Sequence, residues 1–518
     1  MSSIDRNLAE GFLFTDFYQL TMAQVYYDLG IHEKTARFEY FFRSYPDYGQ
    51  HQAGYCISAG LEWFMDWYYS VSFGKKERDF MNGLHDSSGK AMFSQKFLDW
   101  LSDAHTFYGM NIKAIPEGRV IHPNEPLMVV EGPLAMAQLV ESALLNHLNF
   151  QTLIATKASR IKESGMGQIM LEFGLRRAQD RAASAGARAA IIGGANGTSN
   201  TGLSAILGTP PSGTHAHSMV QAVIALGGSE LDAFRAYAHL YPDNCILLVD
   251  TIDTLESGVP NAIKVFSELR QKGHSPIGVR LDSGDLAYLS ILTAKMLNDA
   301  GFDKSLIVLS NNLDELVIWQ IITQIRIEAS RYGVDPEDLI HRLAYGVGTR
   351  LITSSGDPAL DGVYKLVAIK DTNGWSASMK LSENPEKTLN PGSKKVWRLY
   401  DNKQKAVADL ICEIDEKPNE MEVIELRHPS DHSKFREVHH TELSHMEELQ
   451  IDIIRDDIQV FPNQKITEIQ QLREQDMDCL YPGVKRLMNP HTYHISLSRK
   501  LWDLKQQKSE ELKSGSSA

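Results

Sequence analysis

At 518 residues the chain is too long for one ordinary hydrophobic core, so two or three domains are expected. A hydrophobic fraction of 43% with 23% charged residues is a normal soluble balance, and no apolar run approaches the length that spans a bilayer. The formal net charge of −14 argues against a general nucleic-acid binder, which needs clustered Lys and Arg, yet leaves room for a local basic pocket.

The cysteines, Cys56, Cys245, Cys412 and Cys479, are far apart and form no CxxC pair. A disulfide framework is not expected, and a reducing cytosol is the natural setting. The opening MSSIDRNLAEGF has no apolar signal-peptide core, so a cytoplasmic location is expected.

In chain order, TDFYQLTMAQVYYDLG reads as a helix capped by Asp16 or Thr15 and ended by Gly30. TARFEYFFR alternates and is aromatic, as a strand does. IKAIPEGRVIHPNEPLMVVEGP reads as short strands broken by Pro and Gly, and a long helix should follow from about Leu134. From about Gln168 to Lys370, short apolar runs recur: QIMLEF, RAAIIGG, NCILLVD, PIGVRL, SLIVLS, LAYGVG and VYKLVAI. GTHAHS sits where a further strand should end, and PNAIKVFSELRQKG and LAYLSILTAKMLNDAG read as intervening helices. Buried strand alternating with helix points to a parallel βα barrel or a doubly wound sheet. KVWRLYD, AVADLICEI and EVIELRHP then look like strands, and KITEIQQLREQDMDCL and HISLSRKLWDLKQQKSEEL like helices, before a disordered KSGSSA tail. The expected domains are 1–150 (N-terminal α+β), 151–395 (βα unit) and 396–518 (C-terminal α+β appendage).

The residues after each run carry the chemistry. GLRRAQ, GGANGTSN, DTIDT, DSGD, NNLDE and VGTR follow successive apolar runs. In a parallel βα arrangement such ends share one face, where active sites form. His215 and His217 admit three readings. One is a buried histidine beside a solvent-facing one. The second is zinc chelation, although the other strand ends offer Asp250, Asp282 and Asp285 and no third histidine. The third is a nucleophilic or phosphoryl-accepting imidazole whose tautomer is fixed by a carboxylate, with Glu172 or Asp250 as candidates.

Arg176 and Arg177 are either surface helix-start residues or an anion fork. Arg280 interrupts an apolar strand and needs an anionic partner, either Asp282 or Asp285 or a ligand. Those two aspartates could also bind vicinal hydroxyls. Gly346, Gly348 and Thr349 suit a phosphate cradle at a helix start. Tyr18 by itself reads as core. The sum is a site for a phosphorylated sugar and a small anion, with phosphoryl transfer to histidine as an option.

TDFYQLTMA, LEFGLRRAQ, GTHAHS, GVRLDSGDL, LSNNLDE, GVGTR and KLSENPEKTLNPGSKKVWRLY, in this order, resemble nicotinate phosphoribosyltransferases from about residue 12 to about 510. GVYKLV after GTRLITSSGDPAL is a further match. The combination is specific, although no single motif is. The resemblance implies an irregular βα barrel, type II phosphoribosyltransferase-like, with an N-terminal open-faced sandwich. The implied reaction makes nicotinate mononucleotide and pyrophosphate from nicotinate and phosphoribosyl pyrophosphate, coupled to ATP hydrolysis. This is the entry to NAD synthesis from the free acid. Mg²⁺ would enter on the substrate phosphates and ATP as co-substrate, with no protein metal site, no nucleic-acid partner and no membrane.

The implied phosphohistidine falls on His217, and His215 falls on a variable position. Tyr18, Thr214 and Arg280 match nicotinate contacts, with Tyr18 offered across a homodimer interface. Thr349, beside Gly348, matches a phosphoribosyl pyrophosphate contact. Arg176, Arg177, Asp250, Asp282 and Ser310 belong near the site, Asp250 and Asp282 as carboxylates that favour a cationic ribose. GGANGTSN aligns poorly, and roles for Thr198, Ser199 and Asn200 stay open. The competing readings are a metal-dependent barrel hydrolase using His215 and His217, and a relative acting on nicotinamide or quinolinate.

Overall fold

The computed structural model describes residues 3–104, 106–380 and 389–515. Residues 381–388, most of the KLSENPEKTLN stretch, lie outside the described residues. The chain forms two compact units, Met1–Leu153 with Ala359–Ala518, and 154–358.

In the first unit, Thr35–Phe42 is a central strand between Gly362–Asp371 and Met128–Pro133, antiparallel to both. The sheet continues through Asn111–Ala114 to Ile451–Arg455. The helix at TDFYQLTMA is Phe17–Asp28; Gly30, at φ +67°, turns the chain out of it. Asp16 stands at the cap position but accepts a hydrogen bond from Ser142 Oγ (2.7 Å) rather than from the helix. The expected long helix is broken at Val140 into Leu134–Leu139 and Glu141–Ser164.

A second sheet runs from Phe435–His439 to Leu443–Glu448, with Lys394–Asp401 and Ala406–Glu413 inside it. Its side chains Val396, Ile411 and Leu497 share one core with Phe38, Tyr40 and Val130. The stretch 359–395, expected with the βα unit, and the C-terminal segment, expected as an appendage, therefore both build the first unit. VYKLVAI looks like one more strand of the βα series, but it pairs antiparallel to Thr35–Phe42. Strand-like composition carries no information about which partner a strand takes. HISL contributes the strand Ile495–Leu497 before the helix Arg499–Gly515, so the first residues of the expected tail are helical.

Buried ion pairs join segments distant in sequence. Arg398 donates to Asp409 Oδ1 and Oδ2 (2.9 and 2.7 Å) and to Asp476 (3.1 Å). Asp476 also accepts from Arg119 Nε (2.9 Å), whose other nitrogens reach Glu447.

The second unit holds six parallel strands in the order Gly197–Thr198, Ile169–Glu172, Leu343–Val347, Leu306–Ser310, Gly278–Leu281, Ile246–Leu248. The fold is thus mixed α/β. Helices Val259–Gln271 and Leu286–Asp299 fall where their periodicity predicts. RAAIIGG, expected as a strand, instead ends the helix Arg181–Ile192, with its glycines just beyond; the alanines of that helix, the strongest helix formers, outweigh the two isoleucines.

GTHAHS is also not a strand. Instead the extended segment before His217 touches both edges of the sheet. Ser212 N donates to Thr198 O (2.8 Å) at one edge, and Leu248 N donates to His215 Nε2 (3.1 Å) at the other. A histidine side chain and a backbone amide thus replace the ladder that a regular strand would supply.

Candidate functional site

Because the six strands are parallel, the residues at their carboxyl ends share one rim. Arg280 projects from the strand Gly278–Leu281 and is held on three sides. Nε donates to Ser310 Oγ (2.9 Å), Nη1 to Thr214 Oγ1 (3.3 Å) and Nη2 to Asp282 Oδ1 (3.1 Å). Ser310 also donates to the same Asp282 oxygen. A guanidinium has five N–H donors, so one on each Nη stays available for a planar anion. Of the two aspartates offered by the sequence, Asp282 is the one that pairs with Arg280. Asp285 instead caps Leu286–Asp299, accepting from Tyr288 N (3.1 Å).

The two histidines have different tasks. His215 is buried, its ring 5.0 Å from that of Tyr237. Its Nε2 accepts from Leu248 N, so the proton sits on Nδ1, 3.4 Å from Ala216 O. Burial holds its pKa below the usual histidine range, with the Ala216 hydrogen bond opposing and Arg280 assisting. His217 opens the helix His217–Ala225 and is 37% exposed. Its Nε2 lies 3.0 Å from Asp250 Oδ1, so here the proton sits on Nε2 and the lone pair on Nδ1. The neighbours are therefore opposite tautomers facing different partners. Among the described residues no group of three or more His, Cys, Asp or Glu side chains is placed to hold a metal ion.

Asp250 is nearly buried, its side chain 3% exposed. Oδ2 accepts from Ser283 Oγ (2.6 Å) and Asp282 N (3.3 Å). Its oxygens are thus engaged by His217 and by the DSGD turn, whereas Oδ2 of Asp282 stays available to a ligand hydroxyl. Glu172, the other candidate partner for a histidine, instead accepts from Thr198 Oγ1 (2.6 Å) and from Gly174 N. Burial raises the Glu172 pKa, and those two hydrogen bonds oppose the rise. Asn200, left open in the sequence, caps Thr201–Leu207.

Arg176 and Arg177 lie exposed in the turn after Ile169–Glu172, and neither pairs with a carboxylate among the described residues. Thr349 is exposed at the start of Thr349–Ile352, a single helical turn too short to be an anion site in its own right. At Gly346 a Cβ would stand 2.5 Å from the Phe173 ring, so the glycine makes room for that ring. Tyr18 belongs to the first unit and is 49% exposed on Phe17–Asp28, which corrects its reading as core.

Two residues went unnoticed in the sequence. Phe173 lies with its ring centroid 5.6 Å from the Arg280 guanidinium, offering an aromatic face beside a cation. Its only sequence signal is an aromatic at a strand end. Ser283 sits inside a motif already singled out, between two aspartates that drew the attention.

The fold is the mixed α/β arrangement of the type II-like phosphoribosyltransferase class. The crystal structure of human nicotinic acid phosphoribosyltransferase superposes with a TM-score of 0.77 at 26% identity, covering 95% of this chain and 99% of that one. The nicotinate-nucleotide pyrophosphorylase of Pyrococcus furiosus, at a TM-score of 0.65 and 20% identity, shares the fold. The chain belongs to the nicotinate phosphoribosyltransferase family of enzymes. The family model matches residues 169–404, and its N-terminal and C-terminal domain models match 13–149 and 393–505. A Bacillus subtilis nicotinate phosphoribosyltransferase is 40% identical over 97% of this chain and 96% of that protein. A Caenorhabditis elegans relative of the same name is 31% identical over 95% and 92%. Among the described residues no helix is long and apolar enough to cross a membrane.

Proposed function

We propose that the chain transfers phosphoribosyl from phosphoribosyl pyrophosphate to nicotinate, in the cytoplasm and in step with ATP hydrolysis through phosphorylated His217. The observation that carries the coupling is the His217–Asp250 pair, with Nε2 3.0 Å from the carboxylate and Nδ1 left as the nucleophilic nitrogen. Nδ1 attacks the γ-phosphorus of ATP. The N–P bond forms, the bond to the bridging oxygen breaks and ADP leaves. The Nε2 proton stays between the ring and Asp250, which stabilises the charge the ring gains.

Nicotinate is then gripped by the two free N–H groups of Arg280, with the Phe173 ring available to stack on the pyridine. Orientation by the carboxylate aims the ring nitrogen at the anomeric carbon. The N–C bond forms as the C–O bond to pyrophosphate breaks, and the product is a pyridinium, so no proton is released. Asp282 Oδ2 is available to the cationic ribose, and Arg176, Arg177 and Thr349 to the phosphates. Mg²⁺ carried on the substrate phosphates would supply neutralisation of the leaving-group charge. Water finally cleaves the N–P bond and releases phosphate. The consecutive parallel strands, with both edges tied to the segment before His217, support the irregular βα barrel of this class.

A homodimer is supported by the apolar stripe on Phe17–Asp28 and its cap. Tyr18, Met22, Val25 and Leu29 recur on one helical face and are 49, 36, 53 and 67% exposed. Tyr18 on such a surface suits a contact to the partner's site.

The deciding experiment incubates the full chain with nicotinate, phosphoribosyl pyrophosphate and Mg²⁺, with and without ATP. Product and acid-labile protein phosphate are read for the wild type and His217→Ala. Coupling requires that the variant lose both the phosphate and the ATP stimulation. If His217→Ala hydrolyses ATP in step with product, the phosphohistidine reading is wrong. Comparable turnover of nicotinamide would overturn the acid preference assigned to Arg280.

A further inference from the structure

We propose that Ser283 is a positioning residue for phosphoryl transfer at His217, acting through Asp250. The proposal rests on the phosphohistidine reading above. A carboxylate on a short side chain turns about two bonds, and its aim decides whether it fixes the imidazole. Here the two oxygens of Asp250 have separate duties. Oδ1 faces His217 Nε2, and Oδ2 is anchored by Ser283 Oγ at 2.6 Å and Asp282 N at 3.3 Å. The serine supplies the shorter anchor.

Ser283 is exposed, so its side chain contributes little packing, and among the described residues its hydroxyl hydrogen-bonds to Asp250 alone. The turn fixes its place from both sides. Asp282 is held by Arg280 and Ser310, and Asp285 by the helix it caps. Between them Gly284, at φ +78°, takes a conformation that other residues rarely adopt. One turn thus grips the guanidinium through Asp282 and the histidine's carboxylate through the next residue.

During transfer the Nδ1–P bond forms, the P–O bond to ADP breaks and the ring becomes cationic. The Nε2–H then donates to Oδ1 more strongly than before. An Asp250 free to swing loses part of that gain in the transition state, while nicotinate binding at Arg280 is untouched.

The test uses the full chain as wild type, Ser283→Ala, Ser283→Thr and His217→Ala, with γ-labelled ATP, Mg²⁺ and phosphoribosyl pyrophosphate in rapid quench. Ser283→Ala should form phosphoenzyme about tenfold more slowly, the size expected for one hydrogen bond to a charged group. KM for nicotinate should stay at the wild-type value, and Ser283→Thr should restore the rate. A wild-type rate in Ser283→Ala overturns the proposal. A parallel rise in KM, or failure of threonine to restore, also overturns it by pointing to a merely structural role. Absence of phosphoenzyme in the wild type above the His217→Ala level fails the underlying reading instead.

Discussion

The backbone N–H of Leu248 donates to the Nε2 of His215 at 3.1 Å, so a side chain completes the edge of a parallel sheet. This bond requires a neutral imidazole. It explains why two histidines so close in sequence divide into one that holds the chain and one that faces the rim.

Replacing His215 by Phe should keep much of the ring packing and leave the Leu248 N–H unpaired. The expected cost is about 1–3 kcal/mol of stability, read from denaturant midpoints. The pH dependence has a definite sign. Since the folded pKa is lowered, the unfolded chain binds the extra proton first. The contribution of His215 is fully present above the unfolded value of about 6.5 and is lost as pH falls through the folded value. The His215→Phe protein should lack that acid-side loss. An identical pH–stability curve would refute the assignment.

Arg280→Lys keeps the charge and removes the fork. Steady-state kinetics should show kcat/KM for nicotinate falling about 100-fold, as loss of paired charge-assisted hydrogen bonds implies, with a smaller loss for nicotinamide. An equal loss for both would mean that Arg280 does not read the carboxylate.

Asp250→Asn keeps the shape of the group and loses its charge. The amide cannot stabilise an imidazolium and can present the wrong group to Nε2. Phosphoenzyme formation should fall by roughly 10²–10⁴-fold, the scale seen when a carboxylate partner of a catalytic histidine is so changed. Normal labelling in this variant would remove Asp250 from the mechanism.

Arg398→Met leaves Asp409 buried without its cation. Unfolding measurements should show a loss of about 3–5 kcal/mol, and the double variant Arg398→Met/Asp409→Asn should recover part of it. A double variant no better than the single would mean that the unpaired carboxylate is not the source of the cost.

Much of the site was legible because strand ends carry the chemistry. Arg280 is a charge inside an apolar run, and the sequence offers Asp282, Asp285 or a ligand as its partner without choosing among them. The strand-end pattern singles out both His217 and Asp250 but not which carboxylate serves the histidine, since a sequence carries no strand order. Glu172 ends the strand beside Gly197–Thr198, whereas Asp250 follows the opposite edge strand, and only the topology separates them. RAAIIGG reads as a strand if its two isoleucines are weighed alone, but the helix Arg181–Ile192 contains six alanines and two arginines, all of which favour helix. The fate of VYKLVAI depended on a partner more than 300 residues earlier, which no local pattern records.

The discontinuous unit has a consequence for synthesis. Residues 154–358 form one uninterrupted stretch that can collapse while the chain is still emerging from the ribosome. The aromatic strand Thr35–Phe42 must meanwhile wait for Gly362–Asp371, and Asn111–Ala114 for Ile451–Arg455. A nascent chain stalled before residue 450 therefore exposes an open, apolar strand edge, the state most in need of a chaperone.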